Sequence, residues 1–400
     1  MRSISALVDQ LAPNGVEFHP LEGITRIASD RISTAELDAS NYVGVDNLLP
    51  NFGGRKDSSY GANSSGAIRF QAGDVLIGNI RPYLKKVWLA DRAGGASPDV
   101  LTISILPEWK EELVPKYVYY LLASDAFINY SSQHARGGKM PRGDKALIMQ
   151  YVVPVPPRAV QLEIVRILDL FSGLESELQA ELAARRRQFV YYRASLLSFS
   201  DPATAWSTMG EISSRVSSGG TPLVSRGDYH DDGTIPWLRT QEVRFVDIWD
   251  TEMKITEKAV KETSAKWIPA NCVIVAISGA TAGRSAVNKI PLATNQHCCN
   301  FEIDPQKAYY RYVFHWIAAH YEDIKAMGQG ARSDLNAGLI KSVAIALPDV
   351  DEQVRIADAL DGFDRLISDP DSGIPAELGA RRRQFEVYRN QLMSFSEVTN

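Results

Sequence analysis

Residues 181–199 read ELAARRRQFVYYRASLLSF, and residues 377–395 read ELGARRRQFEVYRNQLMSF. Both share an arginine triplet (Arg185, Arg186 and Arg187; Arg381, Arg382 and Arg383), then Gln-Phe, Tyr-Arg and Ser-Phe. Upstream, Pro156, Gln161, Ile164, Leu168 and Phe171 are echoed by Pro348, Gln353, Ile356, Leu360 and Phe363. The offset is 192 residues upstream and 196 downstream, so the second copy carries four more residues, in the turn at 368–373. Solenoid units repeat every ~20–50 residues. This period is far longer and marks a duplicated half-molecule, and a duplicated half-molecule reads a target that also has two halves.

Working outward, residues 1–152 and 201–344 are rich in β-branched runs broken by Gly, Pro, Asn and Ser, a pattern of short strands and long loops. Residues 70–81 (FQAGDVLIGNIR) parallel residues 267–278 (WIPANCVIVAIS): an aromatic, a turn, then an apolar strand ending in small polar residues. Each is followed by a Tyr-rich helical stretch (116–130; 309–326), a Gly/Arg loop (136–142; 328–333) and a short apolar strand (152–155; 343–347). Trp237 and Trp267 read as core. The segments 153–200 and 345–400 are helical. In the first, Val160, Ile164, Ile167, Phe171, Leu174, Leu178 and Leu182 recur at steps of three and four, an apolar helix face continued by Phe189, Tyr192, Leu196 and Phe199. In the second, Val354, Ala357, Leu360 and Asp364 start a stripe that the Asp-Pro-Asp-Ser-Gly turn interrupts, and Pro375 suits the first turn of the restarted helix. The expected fold class is α+β: two globular domains in pseudo-two-fold arrangement, separated by an antiparallel pair of long helices. The expected domains are 1–152, 153–200, 201–344 and 345–400. If the helices set the distance between the halves, four residues inserted between Gln179 and Ala180 would shift one half by about 6 Å, close to two base pairs at ~3.4 Å each.

The apolar share of 45% and charged share of 23% are those of an ordinary soluble globular protein. No 18-residue apolar run is present, so no membrane span is expected. Neither a secretory leader nor a disulfide framework is readable from residues 1–15 or from Cys272, Cys298 and Cys299, which points to a cytoplasmic protein. The net charge of −5 argues against a wholesale nucleic-acid footprint. Residues 1–152 carry 16 basic and 16 acidic side chains, and 201–344 carry 15 and 16, whereas 345–400 carry 6 and 11. A DNA-binding face would therefore be a local patch, and a more basic partner would help to neutralise phosphates.

The tandem ARRRQFxxYR endings resemble the specificity subunit of Type I restriction-modification systems. So do the Pro-x-x-x-x-Gln-x-x-Ile starts at 156–164 and 348–356, Gly219-Gly220-Thr221-Pro222, Thr234-Ile235-Pro236-Trp237-Leu238 and residues 73–83 (GDVLIGNIRPY). The resemblance covers the whole chain. It implies two target-recognition domains, at 1–152 and 201–344, held apart by the conserved helices. It also implies two methyltransferase subunits docked on those helices, restriction subunits joining the complex, and double-stranded DNA as the ligand. The first helical copy departs from the family pattern in lacking the proline-containing break.

The search for chemistry finds little. Pro98-Asp99 with Glu108-Trp109-Lys110 matches a metal-dependent nuclease pattern, but Pro107 removes a backbone donor where a strand is needed and the second half has no counterpart. His297-Cys298-Cys299 cannot close a tetrahedral metal site without distant partners and reads as a buried strand. No phosphate loop or dinucleotide fingerprint occurs, and neither a cofactor nor a metal is expected. Readout needs Arg, Lys, Asn, Gln, Ser and Thr on loops near glycine. The candidates are Asn79, Arg81, Tyr83, Lys85, Lys86, Lys139 and Arg142 in the first half. In the second they are Thr221, Arg239, Thr240, Gln241, Ser278, Thr281, Arg284, Arg332, Ser333 and Asn336. The reading is a non-catalytic DNA-specificity subunit for a bipartite target with an unread spacer. Its rivals are a two-headed protein scaffold without DNA binding, and a metal-dependent nuclease.

Overall fold

The computed structural model describes residues 2–59, 66–328 and 334–398. The chain divides into two compact units, residues 1–179 with 378–400, and residues 180–377. Each mixes small sheets with helices.

In the first unit an antiparallel sheet runs in the order Thr25–Ile27, Val100–Ile105, Val75–Gly78, Val87–Leu89. A second runs Arg31–Ile32, Ala67–Phe70, Gly94–Ala96, Tyr42–Val43, with the last pair parallel. Alternation is absent from Val75–Gly78 because both of its faces are covered, so every residue is buried. In the second unit the corresponding central strand, Val273–Ala276, is equally buried. Its sheet runs Ser213–Ser218, Cys298–Ile303, Val273–Ala276, Ser285–Asn288, Val246–Ile248. The smaller sheet runs Lys254–Ile255, Ile235–Leu238, Leu292–Thr294, Trp267–Ile268. Each unit is closed by a two-stranded ribbon, Glu17–Pro20 with Val152–Val155 and Ala205–Thr208 with Ala344–Leu347. Gly219 and Gly220 are required by close approach: a Cβ would meet Thr294 O at 1.7 Å and Ser264 Oγ at 2.0 Å. Trp237 is core, its indole N–H donating to Gly220 O at 3.0 Å. Trp267, expected in the core, is 44% exposed because it lies on the outermost strand of its sheet.

The first helical segment is one uninterrupted helix, Arg158–Leu196, of 39 residues. The second is broken into Val350–Ser368 and Ile374–Leu392. The four extra residues fall in that break, where a Cβ on Gly373 would meet Arg365 O at 2.6 Å. Within the first unit, Phe171 meets Tyr388 at 5.1 Å and Phe385 at 6.4 Å between ring centroids, while Arg382 Nε donates to Glu175 at 2.7 Å. Numbers rise on one helix as they fall on the other, so the pairing is antiparallel. In the second unit Phe189 and Tyr192 both pack against Phe363, at 5.7 and 6.2 Å.

The repeated glutamines bolt each helix to its unit. Gln161 is fully buried; its Oε1 accepts from Val114 N–H at 2.9 Å and its Nε2 donates to Pro156 O at 2.8 Å. Gln353 does the same with Tyr309 N–H at 2.9 Å and Pro348 O at 2.8 Å. Two turns further on, Asp169 accepts from Lys116 at 2.8 Å and Tyr120 Oη at 2.6 Å. Asp361 stands at the same place in the second copy and binds Arg311 and His315. The buried row of the first helix is Val160, Gln161, Ile164 and Leu168, and in the second it is Gln353, Ile356, Ala357 and Leu360. Leu174, expected on the apolar stripe, is 46% exposed, because the helix has by then passed the segment Glu112–Tyr120 that binds its first three turns.

Candidate nucleic-acid interface

In the first unit two loops 60 residues apart in sequence are laced together by their backbones. One follows strand Val75–Gly78, and the other precedes helix Lys145–Met149. Arg81 N–H donates to Pro141 O at 2.8 Å, and Gly143 N–H donates to Asn79 O at 3.2 Å. The first loop turns through a 3-10 helix, Pro82–Leu84, framed by Arg81 at φ 54° and Lys85 at φ 55°. Left-handed backbone costs a non-glycine residue about 1–2 kcal/mol, and it persists where the surroundings over-determine it. Here Asn51 N–H donates to Leu84 O at 3.0 Å and Phe52 N–H to Lys85 O at 2.9 Å, while Leu84 and Lys85 close the turn onto Arg81 O and Pro82 O.

This lacing brings Arg81, Lys139 and Arg142 together. Arg81 Nη2 donates to Lys139 O at 3.4 Å, and Arg142 Nε donates to Asp99 at 3.0 Å. Tyr83 stands out, 54% exposed. Lys85 and Lys86 face inward, Lys85 Nζ to Asp125 Oδ1 at 2.6 Å and Lys86 Nζ to Val45 O at 2.7 Å. Asn79, expected to present its amide, is buried, and its Nδ2 is spent on Gly143 O at 3.1 Å, because the second loop caps it. Sequence reasoning missed Arg136, whose exposed side chain joins the cluster 3.1 Å from Asp144; its place in the Gly/Arg loop was the available signal. Exposed pairs such as Arg142 with Asp99 stabilise by only ~0–1 kcal/mol, so an incoming phosphate or base edge displaces the carboxylate at small cost.

The second unit is built alike. After Val273–Ala276 the chain makes a 3-10 turn, Gly279–Thr281, with Gly279 and Gly283 supplying the left-handed positions. Leu335 N–H donates to Ile277 O at 2.8 Å, the counterpart of Gly143 to Asn79. Thr281, expected at the surface, is buried, and its Oγ1 donates to Thr240 O at 2.7 Å, tying this loop to the turn Thr240–Glu242. There Arg239 Nη2 and Gln241 Nε2 both reach Glu252, at 2.6 and 3.2 Å. Ser278 and Arg284 are half-buried beside them, and exposed Thr221 donates to Gln296 Oε1. Asn336 caps helix Ala337–Lys341, accepting from Leu339 N–H at 3.0 Å, as Asp144 caps the equivalent helix of the first unit. Arg332 and Ser333 lie outside the described residues.

Groups that would carry covalent chemistry are employed otherwise. Asp99 pairs with Arg142, and Glu108 sits in a 3-10 turn, Pro107–Trp109. Among the described residues no three His, Cys, Asp or Glu side chains gather to hold a metal, and no helix is long and apolar enough to cross a membrane. Cys298 and Cys299 lie in a fully buried stretch of strand, as expected, whereas His297, expected in the same buried strand, stands exposed in the turn before it. Burial pushes all three thiols up to about 12. Since the thiolate is the nucleophile, a thiol reagent at pH 8 should leave Cys272, Cys298 and Cys299 unmodified in the folded protein and label all three in denaturant. Labelling of any of them without unfolding contradicts this burial.

The chain is 33% identical, over 293 residues covering 70% of each sequence, to the specificity subunit of the Type I restriction enzyme EcoR124I/EcoR124II from Escherichia coli. It belongs to the Type I restriction specificity subunits. A putative specificity subunit from Haemophilus influenzae is 26% identical over 309 residues, 72% of this chain and 74% of its own. The family model for the Type I restriction modification DNA specificity domain matches residues 207–380. Solved structures agree in fold. A chain from work on complex assembly and conformational transition of the type I R-M system superposes with a TM-score of 0.70 at 17% identity, covering 95% of this chain and 97% of that one. The HsdS subunit from Thermoanaerobacter tengcongensis superposes with a TM-score of 0.52 at 17% identity, covering 96% and 97%. As a specificity subunit the chain is a DNA-recognition component and not an enzyme, and its laced loops are where such recognition is sought.

Proposed function

We propose that this specificity subunit recognises double-stranded DNA as two half-sites with an unread spacer, residues 1–152 reading one and 201–344 the other. It works in the cytoplasm and recruits two methyltransferase subunits and, through the complex, the restriction subunits. The observation that carries this reading is the repetition of the laced loops. In both units the loop after the buried central strand is bound, backbone to backbone, to the segment before a short capped helix, and polar and cationic side chains gather there. A scaffold for proteins alone has no need of two such clusters.

Arg81 is assigned to a base edge and Lys139, exposed at the loop tip, to phosphate. A base-reading Arg supplies about 1–3 kcal/mol of discrimination, whereas a phosphate contact changes affinity for all sequences alike. In competition binding by the complex with its methyltransferase, Arg81→Ala is expected to relax selection in one half-site. Lys139→Ala should weaken cognate and random DNA equally. Relaxed selection in Lys139→Ala alone would reverse the assignment.

Segments 153–200 and 345–400 are the proposed partner-binding helices. Leu162, Leu170 and Leu174 stand exposed at four- and eight-residue steps on one face of helix Arg158–Leu196, a row suited to an apolar partner helix. Burying one leucine contributes about 1.5–3 kcal/mol, so Leu170→Asp with Leu174→Asp should abolish co-purification of the methyltransferase while leaving the melting temperature of the isolated chain unchanged. Retained co-purification places the partner elsewhere.

A further inference from the structure

Arg193 and Arg389 occupy the same place in the two copies of the repeat, and each lies over the phenylalanine four residues before it, Phe189 at 5.3 Å and Phe385 at 5.5 Å. Their surroundings differ. Arg389 is 2% exposed, and its guanidinium leaves the helix to enter the recognition part of the first unit. Nη1 donates to Ala123 O at 2.9 Å, closing the end of helix Pro115–Leu122, and Nη2 donates to Asp125 Oδ2 at 3.2 Å. The other oxygen of Asp125 accepts from Lys85 Nζ at 2.6 Å. Lys85 is the left-handed residue that ends the turn begun at Arg81. Phe52 completes the ring of contacts: its backbone N–H holds Lys85 O, and its ring lies 5.7 Å from the Arg389 guanidinium and 5.8 Å from Lys85 Nζ. Among the described residues seven non-glycine positions have positive φ, and four of them, Asn51, Phe52, Arg81 and Lys85, belong to this one assembly. A loop so far from relaxed backbone keeps its shape only while its neighbours hold it.

Among the described residues of the second unit there is no such bridge. The residue that opens the helix corresponding to Asp125–Gln133 is Tyr321, which packs edge-on against Phe245 at 5.3 Å. Phe245 has the left-handed backbone of Phe52 and donates its N–H to Ser285 O at 2.7 Å, yet aromatic packing replaces the carboxylate. Arg193 is half-buried over Phe189; burial lowers its pKa, offset in part by the charge of Asp364, an acid of the neighbouring helix and not of a loop.

We infer that Arg389, in the C-terminal repeat helix, is a positioning residue for the first reading loop: through Asp125, Lys85 and Phe52 it fixes the conformation that presents Arg81. Half-site specificity of the first unit then depends on a residue some 300 positions away in sequence, inside the segment otherwise assigned to partner binding. The second unit lacks this dependence. The inference rests on the reading of loop 79–86 as a DNA contact.

The test uses the full complex with its methyltransferase and measures competition by DNA altered in one half-site or the other. Arg389→Ala and Asp125→Asn are compared with Arg389→Lys, Arg193→Ala and Arg81→Ala, each checked for a native melting transition. Arg389→Ala and Asp125→Asn are expected to lower discrimination at one half-site about tenfold or more, the scale of one bidentate base contact, and to leave the other unchanged. Arg389→Lys restores part of it, since a lysine keeps the charge but not the fork that spans Ala123 and Asp125. Arg193→Ala should alter selection at neither half-site. If Arg81→Ala relaxes one half-site while folded Arg389→Ala and Asp125→Asn keep full discrimination, the inference is overturned and the reading loop stands. If Arg81→Ala also keeps full discrimination, the loop is not a reader and both fail. Should Arg389→Ala not fold, Asp125→Asn decides alone, because it keeps the shape of the site while removing its charge and replacing one of the two accepting oxygens by an amide donor that neither Arg389 nor Lys85 can use.

Discussion

Exchange of residues 201–344 for the corresponding segment of a relative with another target is expected to replace one half of the recognised sequence and leave the other half intact. The physical reason lies in how the segment is closed. Its ends come together in the ribbon Ala205–Thr208 with Ala344–Leu347, where Thr208 faces Ala344, and Met209 N–H donates to Val343 O at 3.0 Å. A segment that leaves and re-enters at adjacent positions transfers with its own sheets and loops, provided the relative keeps the residues that pack on the helices, such as Tyr309 and Arg311 against Gln353 and Asp361. The loops that would read DNA, 239–244 and 278–284, are tied to each other within the segment by Thr281 and Thr240. A specific complex is typically 10³–10⁷-fold tighter than a non-specific one, so loss of one half-site is unmistakable when the methylated sequences are mapped. If both halves changed, the two units would not read independently.

The second large effect is on stability. Arg311, with its side chain 9% exposed, donates through Nε to Asp361 Oδ2 at 2.8 Å, through Nη2 to the other oxygen, and through Nη1 to Asp247. His315 Nε2 lies 2.7 Å from Asp361 Oδ1. This network joins helix Tyr310–Ala319 to helix Val350–Ser368 and to strand Val246–Ile248. Removing Asp361 takes away two of the three carboxylate hydrogen bonds of the buried Arg311 guanidinium, and breaking a buried ion pair costs about 3–5 kcal/mol. Asp361→Ala is therefore expected to lower the urea midpoint far more than Asp169→Ala, whose partner Lys116 is 43% exposed and finds water. Equal effects would contradict the network's burial. The network also fixes a pH dependence. Burial alone would raise the Asp361 carboxyl, but hydrogen bonds from His315 and Arg311 hold it at about 2, below its ordinary 3.8. A depressed folded value stabilises the fold above the unfolded pKa, so this contribution is complete above about pH 4 and is lost as pH falls toward 2. Asp361→Asn should remove that part of the acid sensitivity.

Much of this was legible in the sequence. The repeat is written in identical residues, and the two glutamines that bolt the helices were visible as Gln161 and Gln353 at one offset. The central strands were readable because a strand covered on both faces is apolar without alternation. The break at 368–373 was marked by Asp-Pro and Gly. What stayed hidden depended on contacts distant in sequence. Asn79 and Thr281 follow strands and look like surface residues, but each is capped by a loop distant in sequence, 64 and 41 positions away. Leu174 fits the helical period and is exposed all the same, since periodicity gives the face of a helix and not what covers it. Arg193 and Arg389 are indistinguishable within the repeat. Only the residue that meets them, Asp125 in one unit and no counterpart among the described loop residues of the other, separates a bridging arginine from a half-exposed one.

The central claim is that two units of one chain read two separated stretches of DNA. It is tested most directly by selecting randomised duplexes with the complex of this chain and its methyltransferase and sequencing those retained. Two short defined stretches at constant separation are expected, with no preference between them, and loss of definition in one stretch only when Arg81 is replaced by alanine. Retention of duplexes without sequence preference, or of a single uninterrupted motif, would contradict it.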